Sequence, residues 1–125
     1  MRTFMFIATA ALVVTLSLAA ARAVENTAAK ADIKQFMKDT HKGNTALIKR
    51  ATEGQASPAE VQSLLVGYRA MAATEPPRGE LSSWKEKTGA LVAAAELLAK
   101  SDATGAPALK KAANCKACHG AHKPE

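Results

Sequence analysis

Apolar and polar residues repeat with the period of an α-helix from about residue 30 onwards, and no stretch shows the sustained alternation of a β-strand. Glycine, proline and short polar runs divide this pattern into four stretches. We therefore predict an all-α protein. The predicted helices run from about Lys30 to Thr52, from Ser57 to a break at Thr74, from Glu80 to about Lys100, and from Pro107 through Cys115 to about His119.

The clearest helix boundary is the sequence Ser57-Pro58-Ala59-Glu60. It combines an N-cap serine, a proline at the first helical position and a glutamate three residues after the cap. The paired prolines Pro76-Pro77 follow that helix and end it, because proline cannot continue the backbone hydrogen bonds. Four helices with such short connections are expected to pack as an up-down-up-down four-helix bundle.

The alternating directions of the helices decide which residues meet at one end of this bundle. Met37 lies near the start of the first helix, Met71 near the end of the second, Trp84 near the start of the third and residues 115–119 at the end of the fourth. We expect them to be neighbours. The chain is rich in alanine and has three aromatic residues beyond residue 23, so its core has little bulk of its own and a large buried cofactor could supply it.

The first 23 residues have the parts of a secretory signal peptide. Arg2 gives a positive start, residues 4–20 form an apolar run, and Ala21-Arg22-Ala23 is a small-x-small cleavage site. We predict cleavage near Val24, export to the periplasm and one domain over residues 24–125. The alternative is an uncleaved anchor, but the run is marginal for crossing about 30 Å of hydrocarbon and the Ala-x-Ala ending favours cleavage. No stable membrane insertion is therefore expected after the signal is cleaved.

The net charge argues against one class of partner. Of the 17 Lys and Arg residues two lie in the signal peptide, so 15 basic and 11 acidic residues leave a net charge of +4. A bias of this size favours docking to an acidic protein surface and is too weak to indicate nucleic-acid binding.

The sequence Cys115-Lys116-Ala117-Cys118-His119 has the form C-x-x-C-H, the attachment signature of a c-type haem. Two cysteines three positions apart project from one helical turn, where each sulfur can form a thioether to one vinyl group of the porphyrin. The adjacent histidine then reaches the iron from one side. The motif predicts one covalent haem c, with His119 as the proximal ligand.

Three other interpretations of these cysteines are open. A thioredoxin-like dithiol belongs at the start of a helix in a strand-helix-strand unit, whereas this pair lies near the end of a helical chain. A disulfide between Cys115 and Cys118 would close a very small loop and constrain little. Zinc binding by Cys115, Cys118, His119 and His122 has the right ligand types, but eight residues are fewer than the usual finger spacing requires.

The second axial ligand of the iron must come from earlier in the chain. Met37 is the first candidate, because it lies on the buried face of the first helix at the expected haem end, and a thioether is a common haem ligand. His41, one turn further on, is the alternative and would give a bis-histidine iron. An open distal site is the third option.

The C-x-x-C-H motif near the end of a four-helix chain, together with Phe36-Met37-Lys38 in the first helix, resembles the class II c-type cytochromes. These are the cytochrome c-prime group and its low-spin, methionine-ligated relatives. The resemblance implies a periplasmic bundle with His119 proximal and the residue matching Met37 on the distal side. It also implies that a homodimer through the first two helices is feasible.

The resemblance points to the low-spin branch, whose members transfer electrons. The expected function is that of a periplasmic one-electron carrier that serves redox partner proteins, with Lys110, Lys111, Lys116 and Lys123 as a candidate docking face. No general acid, general base or substrate pocket is evident in the sequence, so no enzyme activity is expected. The alternative is a haem protein of the cytochrome c-prime type that binds nitric oxide or carbon monoxide at an open distal site.

Overall fold

The computed structural model describes residue 30 and residues 32–125. The predicted signal peptide, residues 1–23, lies outside the described residues. All regular secondary structure among the described residues is helical, so the all-α prediction is confirmed. None of the described helices has both the length and the apolar content needed to cross a membrane.

Residues 32–40 form a helical segment, α1. The remaining helices are α2 (Leu47–Thr52), α3 (Pro58–Ala72), α4 (Leu81–Ala99), α5 (Gly105–Ala112) and α6 (Cys115–His122).

The predicted first helix, from Lys30 to Thr52, is wrong as one continuous helix. The chain leaves the helix after Thr40 and turns through Gly43, which has φ +96°, before α2 begins at Leu47. A positive φ ends an α-helix, and glycine adopts it without a steric cost. The Gly43-Asn44 pair is therefore the local signal that separates α1 from α2.

The predicted last helix is also divided. It ends at Ala112, and a new helix begins after Asn114, whose side-chain oxygen accepts a hydrogen bond from the Ala117 amide at 3.1 Å. Asparagine is a favoured N-cap because its side chain pairs with a backbone N–H that has no partner within the helix. The attachment motif consequently occupies a short helix of its own, α6, which starts at Cys115.

The start of α3 agrees with the sequence prediction. The Ser57 hydroxyl oxygen accepts from the Glu60 amide at 3.3 Å, and the Glu60 carboxylate accepts from the Ser57 amide at 2.8 Å. Pro58 occupies the first helical position, where the missing N–H costs nothing. The reciprocal cap fixes the direction in which α3 leaves the preceding loop.

The core lies mainly between α3 and α4, which make the most extensive helix contact, and α5 packs on α4 and α2. Its large fully buried residues include Tyr68, Leu64 and Leu109. The α1 segment is packed against this core through Ile33 and Phe36, and α6 contacts α4. Each of these contacts matters for the site, because α1 and α6 carry the predicted ligands.

Candidate cofactor site

A cavity of about 520 Å³ lies where α1 and α6 meet the last turn of α3 and the first turn of α4. Its walls are predominantly apolar and include Met37, Met71, Trp84, Cys118 and His119. Cavities of this size and character are typical sites for cofactors and other small molecules. Side chains from four separate segments, expected to be neighbours from the helix directions, thus surround one space.

The motif residues occupy different positions relative to this cavity. Cys115 is exposed at the start of α6, Cys118 is half-buried, and neither forms a disulfide. Burial is the main cause that raises the pKa of the Cys118 thiol. Cys118 and His119 line the cavity, whereas Cys115 lies one helical turn earlier on the same helix.

These residues fit a covalently attached haem. Because α6 is helical from Cys115 onwards, its two thiols project from one helical turn, the spacing that attachment to two vinyl groups would use. His119 lines the same apolar cavity as Cys118, and an imidazole at this position is the type of ligand that would bind haem iron. His119 is exposed, and its ring makes no hydrogen bond to any described residue.

Two thioether side chains line the cavity. Met37 of α1 is half-buried, and Met71 of α3 is buried with 2% of its surface exposed. Met37 was the sequence-based choice for the distal ligand, and Met71 was expected nearby. The structure brings both into the same cavity as His119.

His41 is held in a hydrogen-bond chain outside the lining of this cavity. The Thr40 hydroxyl donates to the Phe36 carbonyl at 2.6 Å, so its oxygen accepts from Nδ1–H of His41, also at 2.6 Å. The other ring nitrogen of His41, Nε2, then accepts from the Tyr68 hydroxyl at 3.0 Å. The network thus assigns His41 as a neutral imidazole with both nitrogens occupied.

The electrostatics agree with this assignment. Burial, and secondarily the nearby charge of His119, lowers the pKa of His41 to about 4. Burial, followed by the influence of Cys115, raises the pKa of Tyr68 well above its ordinary value. Both groups therefore remain neutral at physiological pH. The rings of Phe36, His41 and Tyr68 also meet edge to face, with centroids 5.6 to 5.7 Å apart.

Of the two large aromatic residues buried near the site, Trp84 lines the cavity, whereas Tyr68 lies beside His41. The indole N–H of Trp84 donates to the Thr74 carbonyl at 2.9 Å. This bond fixes the ring as a wall of the cavity, because it ties α4 to the end of α3.

His122, considered from the sequence only as a zinc ligand, is a buried residue of the site with partners that were not predicted. Its Nδ1–H donates to the Arg78 carbonyl at 2.7 Å, and its Nε2 accepts from the Ser83 hydroxyl at 3.0 Å. The ring packs against Trp84 with centroids 5.3 Å apart and is only 2% exposed. Its partners are 39 and 44 residues away in sequence, so no local pattern announces them.

The proposed zinc ligands are not assembled into a metal-binding group. Among the described residues, no three His, Cys, Asp or Glu side chains are grouped so that they could hold a metal ion. His122, which the zinc interpretation requires, has both ring nitrogens in hydrogen bonds to Arg78 and Ser83.

Basic residues surround the cavity and the attachment helix. Lys30, Lys34 and Lys123 line the cavity together with the acidic Glu125. The four lysines of the candidate docking face are all exposed: Lys110, Lys111, Lys116 and Lys123.

Comparisons with models of protein families, with curated proteins and with solved structures found no match to this chain. Its function is therefore inferred from the chemistry and geometry of the site residues.

Proposed function

We propose that this chain is a c-type cytochrome that holds one haem covalently through Cys115 and Cys118, with His119 as the proximal ligand. The observation that supports this proposal most directly is that Cys118 and His119 line the same apolar cavity as Met37. When bound, the haem supplies a one-electron iron couple whose potential depends on the axial ligands and on the surrounding cavity.

More particularly, we infer a periplasmic electron carrier of the class II type, exported by residues 1–23. In this proposal the up-down-up-down bundle has four members. The first is α1 together with α2, the second is α3, the third is α4, and the fourth is α5 together with α6. The cavity then lies at one end of the bundle, and its predominantly apolar walls influence the potential of the redox centre.

Met37 is the proposed distal ligand. Ligation by His41 would take its Nε2 away from the Tyr68 hydroxyl, which is fully buried. A buried hydroxyl that loses its partner costs about 1 to 3 kcal/mol. Met37 lines the cavity and its thioether loses no strong hydrogen bond on binding iron, so the comparison favours Met37.

The charge around the cavity supports the proposed carrier role. The cavity is bordered by lysines that suit an acidic redox partner, and the exposed lysines of α5 and α6 extend the same charge. His41 and Tyr68, the two groups with strongly shifted pKa values, are neutral and hydrogen-bonded to each other. We assign them a structural role and propose no catalytic activity.

The first experiment is expression of the full chain with haem-maturation machinery. Absorption spectra and intact mass should show one covalent haem, and the reduced protein should be low-spin and unchanged by carbon monoxide. Cys118→Ala should lose normal double attachment. Colourless protein with two titratable thiols would refute haem attachment, whereas ready carbon monoxide binding would favour the gas-binding function.

A matched pair of variants tests the distal ligand. Met37→Leu and Met71→Leu each remove one thioether from the cavity and preserve most of the side-chain volume. We expect Met37→Leu to become high-spin and to bind carbon monoxide, while Met71→Leu stays low-spin. The opposite pattern would identify Met71 as the distal ligand. If Met37→Leu and Met71→Leu both stay low-spin and only His41→Gln becomes high-spin, the distal ligand is His41.

A further inference from the structure

The turn that connects α3 to α4 is linked to the end of the attachment helix α6. The Arg78 guanidinium donates to the Gly120 carbonyl at 2.7 Å and lies 3.6 Å from the Glu125 carboxylate. In return the Arg78 carbonyl accepts from the buried ring of His122. Each segment therefore donates a side-chain hydrogen bond to a backbone carbonyl of the other.

The same turn approaches α6 closely at Gly79. This residue has φ +85°, and a Cβ placed there would lie 2.5 Å from the Ala121 carbonyl oxygen and 3.0 Å from Nδ1 of His122. Only glycine allows both this backbone conformation and this distance. The turn is thus shaped to contact the C-terminal turn of α6.

His122 is the centre of this contact. It is one of the largest fully buried side chains of the described residues, although it is the last residue of the short helix α6. The Arg78 carbonyl can only accept, so Nδ1 of His122 carries the proton of that bond, and Nε2 pairs with the Ser83 hydroxyl.

We propose that His122 is a positioning residue that holds α6 at the angle from which His119 faces the cavity, an inference that rests on the proposed function. Thioether bonds at Cys115 and Cys118 would fix only the first turn of α6. His119 follows these two residues directly, and His122 secures the helix on the other side of it. In the proposed holoprotein α6 is then fixed on both sides of His119.

Hydrogen exchange measured by mass spectrometry tests the contact itself and requires no cofactor signal. We compare the full chain with His122→Phe, which keeps an aromatic ring beside Trp84 but removes both hydrogen bonds. Loss of this pair should increase amide exchange in residues 115–123 about tenfold or more, with little change in α3. His122→Asn, whose amide nitrogen can still donate to the Arg78 carbonyl, should restore part of the protection.

The holoprotein provides the readout that separates positioning from general stability. Urea titrations should follow the haem absorption, which reports ligation of His119, and the far-ultraviolet circular dichroism, which reports helix content. In His122→Phe the absorption midpoint should fall well below the circular-dichroism midpoint. In the control Leu64→Ala, which removes a buried core side chain outside α6, both midpoints should fall together.

The outcomes separate the two proposals. Unchanged exchange in residues 115–123 of His122→Phe, or midpoints that fall together as they do in Leu64→Ala, would overturn the positioning role. In either case a low-spin covalent haem would leave the proposed function standing. Conversely, colourless protein would refute the proposed function, while faster exchange in His122→Phe would still show that His122 fixes α6.

Discussion

Gly67 in α3 lies directly against the ring of Phe36 in α1. A Cβ placed at this residue would overlap the outer edge of the Phe36 ring. Gly89 in α4 is the matched control, because it also lies within a helix and a Cβ there would meet nothing within 4 Å. A comparison of Gly67→Ala with Gly89→Ala therefore separates two contributions to stability: the higher helix propensity of alanine and the packing of α1 against α3.

The expected free energies have opposite signs. Alanine is favoured over glycine within a helix by about 0.5 to 1 kcal/mol, so Gly89→Ala should stabilise the protein by that amount. At Gly67 the same gain is opposed by overpacking, which costs about 1 to 3 kcal/mol when the neighbour has to move. We expect Gly67→Ala to destabilise the protein by about 1 kcal/mol, a difference of roughly 2 kcal/mol between the two variants.

Urea unfolding followed by circular dichroism measures both variants, and equal m-values would show that the midpoints report stability alone. The absorption spectrum provides a second readout. Phe36 directly precedes Met37, so displacement of its ring should disturb the distal side and increase the high-spin fraction. If Gly67→Ala is as stable as Gly89→Ala and keeps its spectrum, α1 does not lie against α3 at this point, and the placement of Met37 fails with it.

Three further predictions concern other parts of the site. In urea unfolding, Gly79→Ala should lose more stability than Gly43→Ala. Both glycines have a positive φ, but of the two only Gly79 lies against the backbone of α6. Equal losses of stability in the two variants would contradict that contact. Folding stability should fall by about 2 kcal/mol from pH 6.5 towards pH 4, because the unfolded chain protonates His41 and the native chain does not. His41→Gln should remove that decline, and an unchanged pH profile would exclude His41 as its source. Trp84→Phe should lower the stability measured in urea by about 1 kcal/mol through loss of the bond to Thr74, and an unaltered midpoint would refute this role.

The helix boundaries show where local sequence information was sufficient. Ser57 and Glu60 cap each other across a single turn, so their interaction could be recognised without knowledge of the fold. Gly43 and Asn114 are equally local signals, but each stands within a periodic apolar pattern that favours one longer helix. A single glycine or asparagine costs a helix only about 1 kcal/mol, so tertiary packing decides whether the helix is interrupted there.

The features of the site also differ in how far they could be predicted from the sequence. The C-x-x-C-H motif is contained within α6, and the helix directions were enough to predict that Met37, Met71 and Trp84 surround one cavity with it. The hydrogen-bond partners of the histidines could not be predicted. His41 and Tyr68 are separated by 27 residues, and their pairing depends on how α1 lies on α3. The same holds for the bond from His122 to the turn before α4.

The three histidines of the chain differ in one respect that bears on the identity of the axial ligands. His41 and His122 each have both ring nitrogens in hydrogen bonds to other residues. His119 has no such bond to any described residue, and its ring borders the cavity. Iron binding by either of the first two would break a buried network at a cost of about 1 to 3 kcal/mol, whereas binding by His119 breaks none. The cavity is therefore bordered by one imidazole without such bonds and by two methionine thioethers, and in the proposed cytochrome this combination would favour a histidine–methionine iron over a bis-histidine one.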